Sequence, residues 1–159
     1  MCQPDDPQLA QWVFEAWQKA SDGKLEFTRV PDRDHARIRL FWASAEKGLY
    51  GETRPVYADG HRLGAEVYVL PSPLPTSGDR LLRDAIVYLT CLHESGHALG
   101  LSHTAAFADI MYSFQFGGDI DEYFGRYRRK LTTRTDIAKN SGMSPADRAR
   151  LLEILSPRP

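Results

Sequence analysis

The stretch that most constrains this chain runs from residue 93 to residue 103 and reads HESGHALGLSH, with three of the chain's five histidines. On a helix, residues four apart lie on the same face, so His93 and His97 can direct their imidazoles at one point. His103 follows six residues after His97 and cannot share that straight face. The helix must therefore end and the chain turn back, and Gly100 stands where a left-handed helix end is needed.

This spacing predicts a zinc site. Three neutral imidazoles and one water make a tetrahedral site with an open position, which is typical of catalytic zinc. Glu94 is rotated by roughly 100° from His93 about the helix axis, so it flanks the metal instead of binding it. A carboxylate in that place can act as general base toward a metal-bound water. We therefore predict one zinc ion held by His93, His97 and His103, with Glu94 as the catalytic residue.

Composition excludes several classes of protein. The 159 residues are 42% hydrophobic and 26% charged, which fits one soluble globular domain. A net charge of −1 favours neither nucleic acid nor an anionic membrane as a partner. No segment has the roughly 18 apolar residues of a membrane span, and the start MCQPDDPQ lacks the features of a signal peptide. Two cysteines are too few for a disulfide scaffold, and Cys91 is expected to be a small buried residue in a helix.

Residue periodicity predicts both helices and strands. One helix starts at Asp6-Pro7, a long one spans about Asp79 to Leu99, and Ser144 with Asp147 forms a capping-box pattern before a last helix. The segment at 65–70 alternates and ends at prolines, so we expect an edge strand with unpaired backbone groups. The other expectations are strands at 24–30 and 36–42, a turn-rich segment at 48–60, irregular chain from the histidines to Ser144, and a helix over 144–155.

The pattern His-Glu-x-x-His-x-x-Gly-x-x-His resembles the signature of the metzincin zinc metalloproteases. That resemblance implies a second element, a tight turn with a methionine beneath the metal. The segment ADIMYS places Met111 eight residues after His103, where such a Met-turn is expected. Among metzincins the chain is most similar to matrixins, the catalytic domains of matrix metalloproteinases. The similarity is carried by HESGHALGLSHT with DIMY, and more weakly by FEAWQKASDGKLEFTRV, ARIRLFWA and GAEVYVLP.

The matrixin resemblance implies an α+β, zincin-like metzincin fold. It would have a twisted mixed sheet, a backing helix and a zinc helix, then a small C-terminal part with the Met-turn and a final helix. One catalytic domain would span 1–159, with its N-terminal part at about 1–100 and its C-terminal part at about 101–159. The implied function is a zinc-dependent endopeptidase whose metal-bound water is activated by Glu94. The chain would act as a monomer on protein or peptide substrates, outside the cell or in the cell envelope.

Several features depart from the matrixin pattern. Residues 48–64 form a short segment with only Asp59 and His61 as candidate ligands, so calcium and a second zinc are not expected. The turn methionine is followed by Tyr112-Ser113 instead of Tyr-Pro. Tyr112 has an alternative role as a fifth metal ligand, as in astacin-like enzymes. Residues 115–142 resemble an insertion, and their basic cluster is expected to be a solvated face: Arg126, Arg128, Arg129 and Lys130.

The resemblance also implies how a substrate would bind. An extended peptide would pair with the edge strand at 65–70, and the side chain after the scissile bond would enter a pocket beside the zinc helix. The predicted lining is apolar and comprises Tyr88 or Leu89 from the helix, together with Tyr112 and Phe114. Two other functions stay open at this point. One is an inactive zinc-holding binding module, and the other is a nucleic-acid-associated protein that uses residues 126–134.

Cys2 has three interpretations. The sequence CQPD faintly resembles the cysteine segment by which matrixin pro-regions block zinc, which would make Cys2 a latency element. It also fits the lipid-anchoring cysteine of a lipoprotein, or an incidental terminal residue. His35 lies in the polar stretch PDRDH and is expected at the surface.

Overall fold

Four α-helices and three strands make up the regular structure of residues 2–43, 50–71 and 77–156, the parts of the chain that the computed structural model describes. This composition confirms the predicted α+β class. The helices are α1 (Asp6–Ala20), α2 (Arg80–Leu99), α3 (Ile120–Arg128) and α4 (Pro145–Ile154), and the strands are β1 (Ile38–Trp42), β2 (Gly51–Ala58) and β3 (His61–Val69). Short 3₁₀ turns lie at Arg33–His35, Phe114–Phe116 and Arg134–Lys139. None of the helices in the described part combines the length and the apolar character of a membrane span.

The three strands form a mixed sheet in the order β1-β3-β2. β3 lies in the centre, parallel to β1 and antiparallel to β2. The prediction that 65–70 is an edge strand is therefore wrong, because both sides of β3 are paired. The two edge positions belong to β1 and to β2, and β2 lies in the segment that was expected to be turn-rich.

A tight hairpin joins β2 to β3. Asp59 and Gly60 both have positive φ, 50° and 77°, as a two-residue type I′ turn requires. Aspartate followed by glycine is a strong signal for such a turn, and it lies between Ala58 and His61, which are paired in the ladder. Pro55 lies within β2, where a residue without an N–H is tolerated because the strand is at a sheet edge.

The helix pair α1 and α2 backs the sheet and forms the centre of the core. Leu9, Val13 and Trp17 recur along one face of α1 and are fully buried. The Trp17 indole donates a hydrogen bond of 2.8 Å to the Ser95 hydroxyl of α2, which satisfies the one polar group of that ring. This buried contact with α1 therefore fixes the part of α2 around Ser95.

The segment at 24–30 has no strand, contrary to the prediction. Its backbone is engaged by α1 instead: Leu25 N–H donates to the Ser21 hydroxyl at 3.0 Å, and Phe27 N–H donates to the Gln18 side chain at 3.0 Å. The Phe27 ring also contacts Phe14, with ring centroids 5.1 Å apart. Side chains of the preceding helix thus use the donors that a sheet ladder would need.

The chain beyond the histidines contains more regular structure than expected. α3 lies inside 115–142 and begins at Asp119, whose carboxylate accepts from the N–H groups of Asp121 and Glu122. The sequence analysis missed this helix, because its nine residues include a glycine and have no long apolar repeat. The last helix, α4, begins as predicted, with the Ser144 and Asp147 capping box and Pro145 at its start.

Candidate metal centre

The final turns of α2 bring two of the predicted ligands together, and the following turn adds the third. Gly100 ends α2 in the left-handed conformation with φ of 102°, as predicted. The chain then reverses, so that the Nε2 atom of His103 lies 3.2 Å from His93 Nε2 and 3.0 Å from His97 Nε2. In the described part of the chain, these three residues are the group of possible ligands whose atoms converge on one point.

The orientation of the rings fits a metal ion. His93 Nδ1 lies 2.7 Å from the Ile110 carbonyl oxygen, and His97 Nδ1 lies 2.8 Å from the Leu101 carbonyl oxygen. Because a carbonyl can only accept, both Nδ1 atoms carry the proton and both Nε2 atoms present lone pairs. The His103 Nε2 atom lies close to both of these lone pairs, so a cation at the centre of the three nitrogens could be bound by all of them. Tetrahedral zinc with nitrogen ligands at about 2.05 Å would separate those nitrogens by about 3.3 Å, close to the observed distances.

Burial keeps two of these imidazoles neutral. Burial, and to a smaller extent the neighbouring imidazoles, lower the pKa of His93 to about 4, although the hydrogen bond to Ile110 acts in the opposite direction. Burial also lowers the pKa of His97. Metal binding requires the neutral ring, so both side chains are ready to act as ligands near neutral pH.

Glu94 lies against the edge strand β2. Its side chain is only 7% exposed, and Thr53 Oγ1 lies 2.7 Å both from its Oε2 atom and from its backbone carbonyl oxygen. Gly51 also packs against the Glu94 side chain. A Cβ at this position would come within 2.6 Å of Glu94 Cγ and 2.9 Å of the Tyr68 carbonyl oxygen, so only glycine fits. Burial raises the pKa of Glu94 to about 7, against the hydrogen bond from Thr53. The sequence analysis missed both β2 residues because it found no strand there.

Met111 is fully buried under the histidine segment. A Cβ on Gly96 would approach its sulfur within 2.5 Å, so the glycine allows the methionine to pack directly on α2. The Met111 carbonyl accepts from Thr104 N–H at 2.8 Å, which joins this turn to the residue after His103. Ile110 N–H donates to the Asp147 carboxylate at 2.7 Å, while the Ile110 carbonyl binds His93, so α4 holds the turn that orients the first histidine.

A cavity of about 240 Å³ opens beside the histidines. Of the predicted pocket residues, Leu89, Tyr112 and Phe114 line it, but Tyr88 does not. Tyr88 is fully buried and its hydroxyl donates to the Ser141 carbonyl at 3.1 Å, so of the two alternatives on the helix it is Leu89 that lies at the cavity. The other lining residues are Tyr50, Gly51, Thr90, His93, Glu94, His103, Ser113, Tyr123 and Phe124.

The Tyr112 side chain acts as part of the cavity wall. Its hydroxyl donates to the Gly117 carbonyl at 2.5 Å, and its ring packs at 5.2 Å from Phe107. These contacts use the phenol group within the segment that follows Met111. They favour the wall interpretation over the alternative of a fifth metal ligand.

The basic cluster at 126–130 is largely engaged by the chain itself. Arg126 stacks 4.4 Å over the Tyr123 ring and donates to the Phe107 carbonyl. Arg128 pairs with Asp79 at 2.9 Å, and Arg129 pairs with Glu122 at 2.5 Å. Such internal pairing favours a structural and solvated face over a nucleic-acid patch.

The remaining histidines and cysteines are not among the converging ligands. His35 is exposed, as predicted, and contacts Asp32, while His61 is exposed at the start of β3. Cys91 is buried in α2, as predicted, and Cys2 is exposed, and both thiols are free.

Comparison with known proteins finds partial similarities to matrix metalloproteinases. The chain is 28% identical over 128 residues to human matrix metalloproteinase-15, which covers 70% of this chain and 18% of that protein. It is 27% identical over 124 residues to horse interstitial collagenase, with 73% and 25% covered. It is 29% identical over 139 residues to a putative matrix metalloproteinase of Trichoplusia ni ascovirus 2c, with 73% and 26% covered.

The chain thus spans between 18% and 26% of the length of these relatives. No protein-family model matches it, and no solved structure does. The α+β architecture with its small mixed sheet is compatible with a metzincin-like fold. Together, the three similarities support a matrixin-like relationship for this chain.

Proposed function

We propose that this chain is a zinc-dependent endopeptidase of the matrixin-like type. The observation that carries the proposal is the convergence of three histidine Nε2 atoms beside a buried glutamate and an open apolar cavity. The similarity to matrix metalloproteinases supports the same reaction class. A catalytic metal, a general base and a place for a substrate side chain are the parts that peptide hydrolysis needs.

His93, His97 and His103 would hold the zinc ion, and Met111 would form the Met-turn beneath them. Zinc supplies Lewis acidity when bound, which polarises a carbonyl and lowers the pKa of a water. Glu94 accepts the proton of the attacking water at its carboxylate and delivers it to the leaving amine nitrogen. The carbonyl groups of Ile110 and Leu101 fix the rings of His93 and His97, so neither of these two ligands has to reorient during turnover.

The substrate backbone would lie along β2, which replaces the strand proposed from sequence. β2 is one of the two edge strands of the described sheet, and it is the one that Gly51 and Thr53 bring against Glu94. An extended peptide can add to such an edge through main-chain hydrogen bonds. A peptide on β2 therefore has its scissile bond next to the general base.

Cleavage is expected before leucine, isoleucine, phenylalanine or methionine. The cavity beside the histidines is lined by Leu89, Phe114 and Phe124, and an apolar side chain gains on the order of 0.8 kcal/mol per buried methylene. Leucine after the scissile bond should be favoured over alanine by roughly tenfold or more in kcat/KM. Aspartate should be rejected, because its charge would be buried without a partner. A peptide library would measure this preference, and cleavage mainly before charged residues would contradict it.

The proposal is tested by a quenched-peptide assay with and without a zinc chelator. We expect cleavage that stops on chelation and returns when zinc is added back. A protein that binds zinc but cleaves neither peptides nor casein would instead fit the inactive binding module. Placement outside the cell or in the envelope, and action as a monomer, belong to the same proposal.

A further inference from the structure

We propose that Thr53 is a positioning residue that holds the Glu94 carboxylate in its working orientation, an inference that rests on the proposed function. Thr53 lies on β2, half-buried and paired with Val67 of β3. Its hydroxyl oxygen lies 2.7 Å from Glu94 Oε2 and 2.7 Å from the Glu94 carbonyl oxygen. The same side chain thus contacts both the backbone and the functional end of one residue.

The Thr53 hydroxyl can donate only one hydrogen bond to Glu94. A threonine hydroxyl has one proton and two acceptor sites, so it donates to only one of the two Glu94 oxygens at a time. Donation to an ionised carboxylate is the stronger of the two bonds. The bond engages Oε2 and leaves Oε1 to receive the proton of a water.

The surroundings restrict the glutamate further. Glu94 Cγ packs against Gly51, where any side chain would clash. Glutamate has several rotatable bonds, and a general base that swings among rotamers spends only part of its time within reach of the attacking water. Gly51 limits the stem of this side chain sterically, and Thr53 fixes its end by hydrogen bonding. β2 therefore orients the base and offers its edge to the peptide.

This account predicts different outcomes for two substitutions of similar size. Thr53→Val removes the hydroxyl and keeps the shape, and it should lower kcat by about tenfold, because a hydrogen bond to a charged group is lost. KM and zinc affinity should stay within about twofold of the parent, since neither the cavity nor the ligands change. Thr53→Ser keeps the hydroxyl and should retain kcat within about threefold. Thr28→Val makes the same substitution at an exposed threonine outside the proposed site. It serves as the matched control and should leave kcat unchanged.

A double-mutant cycle on the metal-free protein reads the contact without any activity. Thr53→Val should lower the thermal midpoint more in the parent than in a Glu94→Ala background, because only the parent has the carboxylate contact to lose. Equal midpoint shifts in both backgrounds would overturn the proposal. It would also be overturned by a Thr53→Val protein with parental kcat, or by equal losses of kcat in the serine and valine variants.

These readouts separate the two levels of the account. A parent protein without chelator-sensitive cleavage would overturn the proposed function, and with it the catalytic role of Thr53. The midpoint cycle would still decide whether Thr53 and Glu94 are coupled. A parent that cleaves peptides, together with an unimpaired Thr53→Val variant, would overturn the positioning role alone.

Discussion

Replacing Glu94 with alanine is expected to remove nearly all peptidase turnover while the fold and the bound zinc are retained. General-base assistance typically contributes 10²- to 10⁴-fold, so kcat should fall by roughly that factor, or about 3–5 kcal/mol of barrier. Zinc should stay because its three proposed ligands are untouched. Peptide cleavage, zinc content and circular dichroism on the same preparations provide the measurement.

Two further variants sharpen the Glu94 experiment. Glu94→Gln keeps the size of the side chain and an oxygen that can accept from Thr53, but cannot take up a proton, so it should be as inactive as Glu94→Ala. Glu15→Gln changes an exposed glutamate of α1 that contacts Gln11, and it should leave kcat unchanged. A Glu94→Ala protein that keeps more than about a tenth of the parental kcat would refute the assigned role.

Replacing Arg83 with alanine is expected to be the most damaging change to stability. Arg83 of α2 and Asp6 of α1 form an ion pair with two hydrogen bonds, and both side chains are essentially inaccessible to water. Removing one partner leaves the other charge buried, which typically costs about 3–5 kcal/mol. The free energy of unfolding from denaturant titration measures this loss. Arg148→Ala, which breaks an exposed pair with Asp22, should cost less than about 1 kcal/mol.

The same ion pair should make stability depend on acid. Burial would raise the pKa of Asp6, but the hydrogen bonds from Arg83 and from Gln3 N–H outweigh it and hold that pKa below its usual value. A carboxyl with a depressed pKa stabilises the fold above its unfolded pKa of about 3.9, and that contribution is lost as pH falls through the folded value. The parent should therefore lose stability below about pH 4. The free energy of unfolding should fall less steeply with decreasing pH in the Asp6→Asn variant. Equal slopes, or an Arg83→Ala protein as stable as the parent, would contradict this reading of the pair.

The sequence predicts the local geometry of the histidine segment well, because that geometry depends on helical periodicity and one glycine. His93 and His97 lie one turn apart on α2, Gly100 ends the helix, and His103 returns to them. The helix bounds follow for similar reasons, since Ser144, Asp147 and Pro145 are local start signals. The roles of the three histidines as zinc ligands stay predictions.

What could not be predicted depends on contacts between distant segments. Strand order follows from which strands pair in space, so the sequence alone does not reveal that β3 lies between the two edge strands β1 and β2. Tyr88 is the neighbour of Leu89 on α2 but is rotated by about 100° from it around the helix axis, and its ring packs on Tyr127 of α3 instead of facing the cavity. Thr53 is an unremarked threonine in the sequence, and only the fold brings it within 2.7 Å of Glu94.

The central claim is most directly tested by titrating zinc into the metal-free protein while peptide cleavage is followed. We expect activity to rise linearly and to saturate at one zinc per chain, since one group of converging ligands lies in the described part of the molecule. The His103→Ala variant should need more than about 100-fold more zinc for any activity. Mutation of a residue that only hydrogen-bonds to a metal ligand typically lowers metal affinity 10- to 100-fold, and loss of a ligand itself should lower it more. Cleavage that does not depend on zinc, or a His103→Ala protein that follows the parental titration, would contradict the account.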